Sequence, residues 1–381
     1  MSVAAARTLP LRLPTADASM AGRALLAVTG VLVGFGLLAV YSASSYVAQA
    51  RGLPDTHYLL QQLSRAGVGM ALLVVASQVD YHVYRCIAWP IIGLTVLLLG
   101  LLLVPGTEAI APRLNGARRW LRLGLTFQPS ELAKLAVVVW TATLAVRKQD
   151  RLRSFRAGLL PILIVDGLIC LLILAEPHFS AAVMVAAVTA IILFSAGARV
   201  GHFAFLGILG LPILWSQLMS ASYRASRVFA FLNPDPAAAH AGYQLRQSLI
   251  AVGSGGWHGV GYGQSLAKLG YLPEPQNDFI FSIIAEEWGL VGSVALVGLL
   301  LGWALLGLRI AGSAPDLLGR LLATGFAALV FIAAFAHIGV AIGLFPTTGV
   351  NLPFISAGGT NLVLMLGATG VLLNVSKRRR C

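Results

Sequence analysis

Apolar residues in this chain fall into runs of roughly 17–25, the length that crosses a hydrocarbon layer as a helix. The runs lie near 22–45, 62–79, 87–104, 130–147, 157–175, 180–197, 203–219, 280–309, 318–342 and 356–375. The pattern predicts an all-α polytopic membrane protein of about ten transmembrane helices, with a large extracytoplasmic loop, about 220–279, between helices 7 and 8. Two connectors interrupt the otherwise short links. The first, 105–129, reads PGTEAIAPRLNGARRWLRLGLTFQP, and the second is 220–279, rich in Gly and Pro. Segments of that length without their own structure are usually functional. Within the second, YQLRQSLIAV (Tyr243–Val252) is patterned as an amphipathic or re-entrant helix at the interface. No internal repeat is visible, which counts against an inverted-repeat transporter.

Composition agrees with the pattern. Hydrophobic residues make up 58% of the 381 and charged ones only 11%, against about a quarter charged in a soluble domain. One integral membrane domain, 22–376, is expected between a cytoplasmic tail, 1–21, and a basic tail, 377–381. The N-terminal tail holds Arg7, Arg12 and Asp17 but no apolar core, so it does not read as a signal peptide. The net charge of +13 raises nucleic acid as a partner, and its distribution argues against one. Cations gather in short loops (Arg85, Arg147, Lys148, Arg151, Arg153, Arg156, Arg199) and at Lys377–Arg380, the positive-inside pattern that places both termini in the cytoplasm. Cys86, Cys170 and Cys381 form no disulfide framework, and the His and Cys residues lack metal-ligand spacing.

Charges on the other side point to chemistry. Arg118, Arg119 and Arg122 suit an anionic ligand, because the guanidinium fork matches phosphate oxygens; headgroup anchoring, with Trp120 as a belt aromatic, explains them equally well. Glu131 and Lys134 in QPSELAK share a helix face. They read as a self-satisfied pair or as site residues, and the second is favoured because Lys134 lies a turn inside the span, where a Lys costs roughly 2.5–3.5 kcal/mol. Asp166 and His337 lie inside spans and read as glue between helices. Asp278 stands at the water–lipid boundary, where partial desolvation lifts a carboxylate towards the range of a general base; its alternative is the N-cap of the helix at 280. Glu286 and Glu287 are adjacent on that helix, so one of them is expected to face the interior. GSGGWHGVGYG (253–263) follows no strand and is not a dinucleotide loop. Gly30 and Gly34 read as helix packing, and Asn374-Val375-Ser376 as a sequon on the inner face.

Taken together, NGARRWLRLG (115–124), QPSELAK (128–134), FSAGAR (194–199), YRASRVFAFLNP (223–234), GYQLRQSLIAVGSGGWHGVGYG (242–263), LPEPQNDFIFSIIAEEWGLVG (272–292) and FPTTGVNLPFISAGGTNL (345–362) resemble the SEDS family, the FtsW/RodA peptidoglycan polymerases. FSAGAR and the 223–234 run look more like the division branch. The resemblance implies inverting glycosyl transfer on lipid II at the outer face of the bacterial cytoplasmic membrane. It makes Asp278 the base, gives Arg118, Arg119 and Lys134 the leaving diphosphate, and has Glu131 orient Lys134. It also sets Trp120, Glu286 and Glu287 among the substrate-binding residues. A divalent cation, Mg2+ or Mn2+, is implied with ligands unknown. The implied partners are a class B penicillin-binding protein, other divisome proteins and membrane lipids. Departures from the family pattern are His178 and Ser180 in EPHFS, Gln276-Asn277 before Asp278, and Ala357. A lipid II flippase, motivated by Asp166, Glu131, Lys134 and His337 as a buried polar path, and a non-catalytic divisome scaffold are the alternatives.

Overall fold

A computed structural model of the chain describes residues 16–113, 117–123, 125–219, 222–232 and 242–378. The expected basic residues Arg7, Arg12, Arg379 and Arg380 lie outside them. Five helices lead the chain: α1 (Ala16–Ala50), α2 (His57–Gln78), α3 (Tyr84–Leu103), α4 (Pro129–Arg147) and α5 (Leu160–Ala175). They are followed by α6 (Phe179–Ser195), α7 (Val200–Met219), α8 (Ser222–Leu232), α9 (Tyr243–Ser254), α10 (Ile280–Ser313), α11 (Leu317–Ala341) and α12 (Gly359–Lys377). Nine of the described helices, all but α6, α8 and α9, are long and apolar enough to cross a membrane. The tenth expected span is α6, at 17 residues. This is a multi-pass membrane protein.

Helices α4, α11 and α12 are buried along most of their length, and the others pack around them. Local chemistry sets their ends. Pro129 fits the first turn of α4 because no donor is needed there, and the Asp316 side chain caps α11 by accepting from Gly319 N at 2.8 Å. None of the described side chains of α7 is buried, so it stands at the periphery.

The long connectors differ from simple loops. The 105–129 segment folds back as an antiparallel pair, β1 (Leu121–Leu123) and β2 (Leu125–Phe127), with Arg122 opposite Thr126. The segment after α7 holds α8 and α9, and α9 fulfils the expected helix at 243–252. Gly30 and Gly34 have no packing atom of the chain within 4 Å, so the expected close helix contact falls elsewhere, at Gly36, where a Cβ would lie 2.5 Å from the Phe354 carbonyl oxygen. Asn374 is no sequon acceptor in this fold: it is buried, accepting from Tyr81 N at 3.1 Å and donating to Ser77 O at 3.1 Å.

The span expected as one run at 280–309 is broken. Gly289 adopts φ +66°, ψ −163°, a region essentially closed to other residues. The break frees backbone groups, and the glycine-rich run binds them. Val260 N and Gly261 N donate to Glu286 O and Glu287 O at 3.0 and 3.1 Å, while Leu290 N and Val291 N donate to Gly256 O and Trp257 O at 2.9 and 3.1 Å. A Cβ at Gly255 or Gly259 would lie 2.0 or 2.1 Å from a helix carbonyl oxygen. The glycines are there so that two backbones can touch.

Candidate active site

The chain brings four connecting segments to one end of the bundle: the stretch leading into β1, the α5–α6 junction, the turn before α10 and the α11–α12 loop. Asp278 sits in that turn. It does not cap α10, because Phe279 occupies the cap position and no side chain bonds there. Its backbone N instead donates to Glu274 O at 3.2 Å, leaving the carboxylate half-buried. A Cβ added at Gly349 would stand 3.6 Å from both carboxylate oxygens.

The residues that depart from the family pattern hold this turn. The Gln276 and Asn277 amides both donate to Glu274 Oε2 at 3.0 Å. Ala357 N donates to Gln276 O at 3.0 Å, Ser356 Oγ donates to Asn277 O at 2.8 Å, and Gln62 of α2 donates to Ser356 O at 3.0 Å. Ala357 contributes through its backbone, which any side chain would leave in place.

Burial, and after it the neighbouring Glu274, push the Asp278 carboxyl up to about 6, against the pull of Arg227 and Arg119. A carboxylate in that range accepts protons efficiently near neutral pH. The two arginines line a cavity of about 110 Å³ with His178, Thr347, Thr348 and Gly349. Arg119 is aimed by its bonds to Glu176 O (3.2 Å) and Pro177 O (2.7 Å), and Arg227 by its bond to Thr347 O at 3.0 Å.

Other expected site residues lie elsewhere. Arg118 turns away to Glu108 (2.5 Å) and Val104 O (3.0 Å), bracing its own loop, and Trp120 is half-buried outside the cavity lining. Glu131 and Lys134 form a buried ion pair of 2.8 Å with Asn361 donating to the second oxygen of Glu131 at 2.8 Å; Lys134 does not line the cavity. Glu286 and Glu287 are both buried and converge on Ser265, contrary to the expectation that only one would face inwards. Glu286 binds the Ser265 hydroxyl and Leu266 N (3.0 Å). Glu287 takes the Ser42 hydroxyl of α1 at 2.6 Å and Lys268 Nζ at 3.0 Å. Both are buried because the 265–268 turn and α1 together cover the two sides of α10 on which they lie. Asp166 accepts from Thr141 (2.9 Å) and Thr189 (3.1 Å), joining α5 to α4 and α6 as helix glue.

Three residues were absent from the expected set. Arg227 is silent in a sequence because only the fold carries α8 to Asp278, although it sits in a family-like run. His178 and Gly349 belong to motifs that were noted without a role.

Two carboxylates, Asp278 and Glu274, and two guanidinium groups, Arg119 and Arg227, thus gather at one end of the bundle. Comparison with known proteins then supplies the family. The FtsW/RodA/SpoVE family, described as cell cycle protein, matches residues 23–381. The chain is 40% identical to a probable peptidoglycan glycosyltransferase FtsW of Trichlorobacter lovleyi over 353 residues, 92% of each chain. It is also 40% identical to stage V sporulation protein E of Bacillus subtilis, over 93% of this chain and 97% of that one. Among solved structures, a peptidoglycan synthase complex described as coordinating polymerization and crosslinking superposes with a TM-score of 0.74 at 28% identity, covering 93% and 97%. The rod shape determining protein RodA of Thermus thermophilus gives 0.66 at 27%, covering 93% and 96%. The chain belongs to the FtsW/RodA/SpoVE family.

The implied divalent cation finds no protein-built cage among the described residues, where no three His, Cys, Asp or Glu side chains converge. Beside Asp278 stand one further carboxylate, Glu274, and two cations, Arg119 and Arg227, a set that does not fit a divalent ion.

Proposed function

We propose that the chain is a peptidoglycan glycosyltransferase that joins lipid II disaccharides into glycan strands at the outer face of the cytoplasmic membrane, in cell division. The observation that carries this reading is the Asp278 carboxyl, raised to about 6 beside two backbone-anchored arginines. Asp278 takes the proton of the acceptor sugar's 4-hydroxyl, and that oxygen attacks the anomeric carbon of the lipid-linked donor. The new C–O bond forms as the bond from that carbon to the diphosphate oxygen breaks, with inversion. Undecaprenyl diphosphate leaves with the electron pair. Its developing charge needs fixed cations, and Arg119 and Arg227 supply them. Lys134, paired with Glu131, stands close enough to bear on His178 in the cavity lining, and the Glu286 and Glu287 side chains hold the 265–268 turn.

The positive-inside distribution orients both termini to the cytoplasm and Asp278 outwards. Cross-linking is assigned to a partner: Ser265-Leu266-Ala267-Lys268 has the Ser-x-x-Lys spacing, but the Ser265 hydroxyl is bound to Glu286 and Lys268 Nζ to Glu287, so neither is placed to act as an acylation pair. We assign a single-span class B transpeptidase to the apolar groove between α10 and α11, about 660 Å³, which exposes Phe331 and Phe335. The flippase reading loses its motive, since Asp166, Glu131, Lys134 and His337 each bond to near neighbours instead of forming one path.

The test is polymerisation of fluorescent lipid II by the purified chain with its transpeptidase, beside lipid II translocation in liposomes. Glycan ladders that need Asp278 and tolerate Asp166→Asn support the polymerase. Translocation that needs Asp166 and ignores Asp278 contradicts it.

A further inference from the structure

His178 is buried, 8% exposed, at the junction between α5 and α6. It touches two other elements. Its Nδ1 lies 3.1 Å from the hydroxyl of Ser130, a fully buried residue in the first turn of α4, and its ring lies against the Gly349 backbone in the α11–α12 loop, the two lining one cavity. Gly349 is the residue whose Cβ position stands 3.6 Å from both oxygens of Asp278. The connection from imidazole to carboxylate therefore has two links, and α4 anchors its far end.

We propose that His178 is a positioning residue for glycosyl transfer: its imidazole ties the first turn of α4 to the Gly349 backbone, and so holds the 345–350 loop as a wall against the Asp278 carboxylate. The proposal rests on the reading of Asp278 as the base.

The chemistry of the ring suits the task. Burial first, then the charges of Arg119 and Lys134, hold the imidazole down to about 3, so it is neutral at working pH. A neutral imidazole has one N–H and one lone pair. With the proton on the nitrogen that faces the Gly349 backbone, Nδ1 is left to accept the Ser130 hydroxyl 3.1 Å away, so both capacities have a use. A carboxylate at this position accepts only, so it could take the serine but could not donate to the loop. The charged groups that bear on Asp278 are Glu274 from its own turn, Arg227 from α8 and Arg119 from the stretch leading into β1. Those that bear on His178 are Arg119 and Lys134 of α4. The 345–358 loop contains no titratable residue, so its effect on Asp278 is to exclude water.

The experiment is lipid II polymerisation by the complex with its transpeptidase, comparing wild type, His178→Ala and His178→Asn in kcat, KM and pH profile, with thermal melts alongside. His178→Ala should lower kcat on the order of 10–100-fold with KM little changed. Its acid limb should move from about 6 down towards the ordinary carboxylate range, because a loosened wall lets water reach Asp278. His178→Asn, whose amide offers a donor and an acceptor, should restore most of the rate and return the limb. A parental rate and limb in His178→Ala overturns the proposal. So does an equal loss in both variants with the limb unmoved, which marks a filler of space. Absence of ladders from the wild type overturns the reading of the base and this proposal with it, and is seen before any substitution at 178.

Discussion

Gly349 presents its Cα to Asp278 so closely that one added methyl would touch both carboxylate oxygens, at 3.6 Å each. That distance is ordinary van der Waals contact, and the glycine is not in the left-handed region. The fold therefore tolerates the methyl while the approach to the carboxylate does not. Gly349→Ala should cost about tenfold in kcat, about 1.4 kcal/mol, with an unchanged melting temperature. A parental rate would mean that the acceptor hydroxyl reaches Asp278 from another side.

The arginines should be visible in the pH profile. Both hold the Asp278 carboxyl below where burial alone would put it, and Glu274 lifts it. Arg227→Gln and Arg119→Gln should move the acid limb of kcat/KM above 6, and Glu274→Gln should move it below. Shifts of the opposite sign would show that another group controls the limb.

Stability should respond to the same carboxyl in the reverse sense. Its folded value, about 6, lies above the usual value for an unfolded chain, about 3.9. Its contribution is therefore fully present below pH 4 and is lost as pH rises towards 6. Asp278→Asn removes that loss. The variant should melt at or above the parental temperature at pH 7.5 and show a smaller difference from the parent at pH 4, by differential scanning fluorimetry in detergent.

The Glu131–Lys134 pair is buried on both sides, with 4% of each side chain exposed. Removing one partner leaves a charge without compensation, which typically costs 3–5 kcal/mol, whereas removing both costs less. Lys134→Met should therefore melt well below the parent, and Glu131→Gln/Lys134→Met should recover part of the difference. A double variant worse than either single one would show that the pair serves something beyond its own neutralisation.

Gly289 and Gly259 meet backbone to backbone, Gly259 N standing 2.4 Å from a Cβ placed on Gly289. Gly289→Ala should destabilise strongly through that clash and the closed φ/ψ region, whereas Gly298→Ala, which meets nothing within 4 Å, should not. Equal melting temperatures for the two would contradict the account of the break in α10.

How much was legible in the sequence follows from what each feature depends on. The spans were legible because each is a local apolar run, and α9 was legible from its own patterning. The break at Gly289 was not, because its hydrogen bonds come from residues about thirty positions upstream in a run that looks like a ligand loop. Asp278 stood out because a carboxylate beside an apolar helix is costly wherever it points. Arg118 and Arg119 could not be told apart, since neighbours in a loop share a position along the chain but not a direction. That Glu286 and Glu287 are both buried was not legible, because their partners, Ser42 and the 265–268 turn, come from elsewhere in the chain. Arg227 needed the tertiary path of α8 to bring it to the site.

The most direct measurement is the glycan product of lipid II incubated with the purified complex carrying Asp278→Asn, at saturating substrate, with its melt shown to be no lower than the parent's. The account predicts a folded protein that binds substrate and yields no ladder, because the amide cannot accept the proton. Ladders at the parental rate from that variant would contradict it and place the base at another residue.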